Sequence, residues 1–122
     1  MPDKKILVVD DEANVIRTLT FVLRKEGYEV SSAGDGEEAI ARVRESKPNL
    51  MFLDVMMPKK NGYEVCKALK SDSSLSDIHV IMLSAKGQEA DKEKALNLGA
   101  DEFMAKPFSP KGVVERVKEL LG

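Results

Sequence analysis

The chain is poor in the residues that staple small proteins or bind soft metals. Its 122 residues include one cysteine and one histidine, so no internal disulfide can form and no Cys/His set for zinc exists, which fits a reducing compartment. There is no apolar run of the roughly 18 residues that a membrane-spanning helix needs. Met1-Pro2-Asp3-Lys4-Lys5 leads into a short apolar run without a signal-peptide pattern. No membrane association and a cytoplasmic location are therefore expected. A charge excess is missing too: 19 basic against 21 acidic residues leave a net charge of −2. No Lys/Arg block is present to supply several phosphate contacts, so direct nucleic-acid binding is not expected. Linkers, repeats and low-complexity segments are absent as well. With 43% hydrophobic residues, the length suits a single domain over 1–122 with no output domain, able to bury its own core.

Short apolar runs alternate five times with stretches of helical periodicity, the pattern of an α/β (βα)5 unit with a parallel sheet. Lys5 to Asp10, Asn49 to Asp54 and His79 to Ser84 are almost continuously apolar, as central strands covered on both faces should be. Tyr28 to Ala33 and Asp101 to Lys106 are more polar and read as edges. Val15, Ile16, Leu19, Val22 and Leu23 form the stripe of a first helix that Gly27 stops. Asp35 with Glu38 resembles a capping box, and Gly34-Asp35-Gly36 reads as a turn, having neither Rossmann nor Walker spacing. Asn61 or Gly62 opens a helix with Val65, Cys66 and Leu69 inside, and Gly99 ends the fourth. Ser109 and Pro110 start the last, whose stripe is Val113, Val114, Val117, Leu120 and Leu121.

In an open parallel sheet, ligands bind beyond the carboxyl ends of the strands. The residues there are Asp10 and Asp11, Asp54, Ser84 and Lys106. Each alone is an ordinary cap or turn residue; their joint placement brings three carboxylates, a hydroxyl and an ammonium to one crevice. Clustered carboxylates raise one another's pKa unless a cation neutralises them, and oxygen-only ligands favour Mg²⁺. Such a site suits phosphoryl transfer, in which a carboxylate can be the nucleophile. Asp54, alone at the middle strand's end, is the candidate acceptor, and the Asp10/Asp11 pair the metal grip.

VVDDE at 8–12, LDVMMPKKNG at 53–62, LSAKG at 83–87 and AKPFSP at 105–110 occur in that order, and on these motifs the chain resembles a receiver domain of the bacterial response-regulator family (CheY-like). The resemblance spans residues 4 to 121 and implies a doubly wound, flavodoxin/CheY-like sheet of order 2-1-3-4-5. It makes Asp54 the phosphoacceptor, Asp11 a direct metal ligand, Asp10 a ligand through water, and the Met56 backbone carbonyl the last protein ligand of Mg²⁺. Lys106 would contact the phosphoryl oxygens, Ser84 and Phe103 would be the switch residues, and Met56 and Lys86 would tune the lifetime of the phosphorylated state. The donor implied is a sensor histidine kinase or a histidine phosphotransfer protein; the downstream protein target is unknown. A cis bond at Lys106-Pro107 is implied as well.

Phe21 falls on nearly the opposite face from the first helix's stripe, beside Asn14 and Thr18. With Phe108 these residues make a candidate docking patch for the phosphoryl donor. Cys66 and Met51, Met82 and Met104 read as core, and His79 as a residue without a partner. The fourth helix, from about Gln88, has few large apolar anchors, chiefly Leu96 and Leu98, so its local stability should be low. Three rival readings are weaker. FMN binding on the same fold is opposed by the charge of Asp10-Asp11-Glu12. A hydrolase of external phosphate esters lacks its second acid two residues after Asp54. A receiver-like module that takes no phosphate does not need the full set of five residues.

Overall fold

A computed structural model describes residues 4–57, 61–85, 89–106 and 108–122. Its elements are β1 (Lys5–Val9), α1 (Ala13–Lys25), β2 (Glu29–Ala33), α2 (Gly36–Glu45), β3 (Leu50–Asp54), α3 (Gly62–Lys70), β4 (His79–Ala85), α4 (Glu89–Asn97), β5 (Glu102–Lys106) and α5 (Pro110–Leu121). All strand pairs are parallel, and the order β2-β1-β3-β4-β5 puts the two polar runs at the edges, as expected. Strand order reverses between β1 and β3, which opens a crevice at their carboxyl ends. Pro58, Lys86, Gln88 and Pro107, which carry the expected loop, the lifetime position, the helix start and the cis bond, lie outside the described residues.

The central runs are apolar throughout because successive residues of a strand face opposite layers. Ile6, Val8, Leu50, Phe52, Ile81 and Leu83 pack with α1 and α5. Leu7, Val9, Met51, Leu53, Val80 and Met82 pack with α2, α3 and α4. Helix ends follow the sequence signals. Gly27 takes φ +94° after α1, and Gly99 takes φ +102° after α4. Asn61 and Glu64 close a capping box on α3, and Ser109 caps α5 by accepting the Gly112 N–H. At α2 Asp35 accepts the Glu38 N–H, but the Glu38 carboxylate accepts from the Gly34 N–H at 2.9 Å, so the reciprocal bond begins one residue earlier than in the expected box.

Two expectations are corrected. His79 has a partner: its Nε2 lies 2.6 Å from Glu102 Oε2, because β5 pairs beside β4 and sets both residues on one sheet face. Glu102 also accepts from Arg116 Nε at 2.7 Å, tying β4 and β5 to α5. Among the side chains of α4 that are described, the fully buried one is Ala95, while Leu96 is 42% exposed. A small residue lets the helix approach the layer closely while covering little of it. Lys94 over the Tyr63 ring, 4.4 Å from its centroid, is a second link between α4 and α3.

Lys70 is a staple that neither periodicity nor motif indicated. Its ammonium donates to Ser76 O at 3.0 Å, Ile78 O at 2.7 Å and Asp101 Oδ2 at 2.9 Å, and Asp101 Oδ2 also accepts the Val80 N–H. The one cation therefore binds the α3–β4 connection to the start of β5. Lys70→Met, which keeps the stem and removes the donors, should lower the unfolding free energy by about 1.5–3 kcal/mol. Urea denaturation measures this, and a loss under about 0.5 kcal/mol would show that water replaces the ammonium without cost.

Candidate functional site

Each expected site residue stands where its strand ends. β1 stops at Val9, and the Asp10 N–H donates to Ala33 O at 3.1 Å, so Asp10 begins the loop still anchored to the sheet. Its Oδ1 accepts the Glu12 N–H at 2.9 Å, which turns the chain toward α1. Asp10 is fully buried, Asp54 at the end of β3 is 5% exposed and Ser84 on β4 is buried, whereas Asp11 is exposed. One carboxylate oxygen from each of Asp10, Asp11 and Asp54 lies within 4.8 Å of the other two. Ser84 follows Leu83, the register partner of Asp54, and so stands at the same mouth.

Lys106 reaches this cluster from the end of β5, across the end of β4. Its Nζ lies 2.9 Å from Asp10 Oδ2, 2.8 Å from Glu12 Oε1 and 3.2 Å from Asp54 Oδ1. Burial opposes the ammonium's charge, but hydrogen bonding and the surrounding carboxylates outweigh it and raise the Lys106 pKa above its usual value. The Asp54 pKa is raised too, which for a carboxyl disfavours the charged form. Burial first, then the charge of Asp10, raise its pKa to about 6, with Lys106 only partly offsetting them. Asp10 Oδ2 is buried, with the Lys106 ammonium 2.9 Å away. Three clustered carboxylates, a set of oxygen donors only, fit a hard divalent cation such as Mg²⁺.

Two contributors had escaped the sequence reading. Glu12 makes the shortest of the Lys106 contacts; its place as a third acid after β1 was the available signal. Gly62 was read only as a helix start, but a Cβ there would lie 2.1 Å from the Asp54 carbonyl oxygen. Its N–H donates to Val55 O at 2.9 Å. The start of α3 is thus pressed against the backbone that carries Asp54, which only glycine permits. Phe103 is half-buried and its ring packs against the α2–α4 layer. Cys66 is core, its thiol pushed up to about 11, chiefly by burial. Asn14, Thr18 and Phe108 line one shallow depression of about 200 Å³ with Val15 and Pro110. Phe21 lines a groove toward β2 with Arg17 and Arg24.

The sequence and fold are similar to those of known proteins. Residues 6–118 match the response regulator receiver domain family. The alkaline phosphatase synthesis transcriptional regulatory protein PhoP of Bacillus subtilis is 50% identical over 98% of this chain and 49% of its own length. The DNA-binding response regulator MtrA of Mycobacterium leprae is 44% identical over 97% of this chain and 51% of its own. Among solved structures, the chemotaxis response regulator CheY4 of Vibrio cholerae matches with a TM-score of 0.90 at 29% identity, covering 98% of this chain and 99% of that one. The chain spans about half the length of these two curated relatives. Their names correct the expectation that nucleic acid plays no part. That expectation rested on a charge census, and a census over half the length of such regulators does not report on the DNA contacts of the whole.

The Asp54 environment sets a pH dependence. Its carboxyl holds a proton more tightly folded, at about 6, than at its ordinary 3.8. Below about pH 4 both states are protonated and there is no penalty; above about pH 6 the buried charge costs the fold up to about 3 kcal/mol. Asp54→Asn in EDTA should therefore raise the unfolding free energy by about 1–3 kcal/mol near pH 7.5, Lys106 keeping Asp10 and Glu12. The gain should fade toward pH 4.5. An equal gain at both pH values in urea denaturation would refute this cause.

Proposed function

The chain belongs to the response regulator receiver family, and we propose that it signals through a phosphoryl group carried on Asp54 with Mg²⁺ beside it. It is a receiver of two-component signalling, a phosphoacceptor. The observation that carries the residue assignment is the buried Asp54 at the end of β3, with two further carboxylates and the Lys106 ammonium around it.

Asp11 and Asp54 would hold the metal directly, Asp10 through water, and the Met56 carbonyl would complete the protein's share. When bound, Mg²⁺ supplies neutralisation of phosphoryl charge. Asp54, ionised at neutral pH, attacks the phosphorus of a phosphohistidine; the new O–P bond forms as the P–N bond breaks, and the histidine nitrogen leaves with the bonding pair. Lys106 turns its ammonium to the phosphoryl oxygens, and the Ser84 hydroxyl donates to another. The domain thus assists its own phosphorylation and dephosphorylation and turns over no external ester. Phe103 reports the state through ring packing, having no tyrosine hydroxyl. Asn14, Thr18 and Phe108 receive the phosphohistidine donor, a sensor kinase or phosphotransfer protein, in the cytoplasm. Following the names of the two regulators, we assign the output to control of transcription.

Acetyl phosphate should label the protein once, at Asp54, only with Mg²⁺ or a similar ion, and Asp54→Asn should abolish the label. A swing between 1:99 and 99:1 needs about 5.5 kcal/mol, whereas a hydrogen bond from Ser84 to a charged phosphoryl supplies roughly 1.5–3 kcal/mol. Lys106→Ala should therefore erase more of the phosphorylation-dependent shift changes in α4 and β5, read by NMR, than Ser84→Ala. Full labelling in EDTA, or an undiminished response in Lys106→Ala, would sink the assignment. Phe108→Ala should slow transfer from a phosphohistidine protein and leave acetyl phosphate labelling unchanged; equal slowing with both donors would assign Phe108 to the fold instead.

A further inference from the structure

The edge strand β2 and helix α1 enclose a groove of about 640 Å³ that takes no part in the phosphoryl site. Ile16 and Val30 lie in it with the hydroxyls of Ser31 and Ser32, and Phe21, 68% exposed, stands at its wall. Arg17, Arg24 and Lys25 line the α1 side, with no acidic residue among the described lining residues. An exposed ring over an apolar floor, with cations along one wall, is the composition of a docking surface rather than of ordinary solvated helix.

We infer that this groove binds an acidic peptide segment of a partner protein, anchored by one apolar side chain against Phe21 and Ile16. Charge complementarity fixes the sign, since three cations on one wall match carboxylates in the segment. The strand edge is partly covered by an α1 side chain. Glu29 N–H donates to Lys4 O and Asp10 N–H to Ala33 O, so alternate residues face β1 and the backbone groups of Val30 and Ser32 face outward. Arg24 already donates to the Val30 carbonyl at 2.9 Å, which occupies the first outward acceptor. The segment is read through the side chains that line the groove. A nucleic-acid backbone would use the cations and leave the apolar floor and the ring unmatched.

The probe is a short peptide of Glu and Asp around one central Phe, titrated into the full chain while amide shifts are followed by NMR. Shifts should concentrate at residues 16–25 and 30–32 and weaken with salt. The double variant Arg17→Glu/Lys25→Glu should bind roughly tenfold more weakly, and Phe21→Ser should lose affinity by a similar factor. Labelling of Asp54 by acetyl phosphate should be unchanged in the double variant, which also checks that it folds. Three results would each overturn the inference: equal binding of a Lys-for-acid peptide, affinity unaffected by the charge reversal, or a DNA duplex that shifts the same residues more tightly than the peptide.

Discussion

The ammonium of Lys106 touches carboxylates from two positions after β1 and from the end of β3, at 2.9 Å, 2.8 Å and 3.2 Å. Without it Asp10, Asp11 and Asp54 would be three charges within 4.8 Å, two of them buried, and their mutual repulsion would have to be met by protonation or by a bound cation. The contact also joins distant parts of the sheet, since Lys106 comes from an edge strand and crosses β4 to reach the crevice. Any charge that arrives at Asp54 changes the partners of this one ammonium. The strand that carries it also holds Phe103, so the electrostatics of the crevice and the packing of β5 are mechanically coupled.

The scaffold around that contact is unevenly firm. β1, β3 and β4 are buried on both faces, and Gly62 presses α3 against the backbone of Asp54, so Asp54 is held firmly. On the β5 side the described side chains are only half-buried or exposed, and α4 leans on Ala95, the Lys94–Tyr63 contact and little large apolar surface. Lys70 and the His79–Glu102–Arg116 chain tie the opposite end of β4 and β5 to α3 and α5. That end of β5, at Glu102, is therefore pinned by charged hydrogen bonds, and Lys106 stands at the other.

The sequence by itself determined the strands, their edges and the acidic mouth, since continuous apolar runs, helical stripes and caps are local signals and the chemistry sits where each run ends. Val8, Phe52 and Ile81 had to be buried whichever helices covered them. The roles of Glu12, Gly62, Lys70 and His79 were decided only by tertiary structure. Each depends on a partner brought close by strand pairing or helix packing: Glu12 on Lys106, Gly62 on the Asp54 backbone, Lys70 on the β4 approach, and His79 on Glu102. Helical period placed Phe21 outward, yet only the packed molecule put it beside β2. A period fixes which way a side chain faces relative to its own helix; what it faces is set by the neighbour that folding puts there.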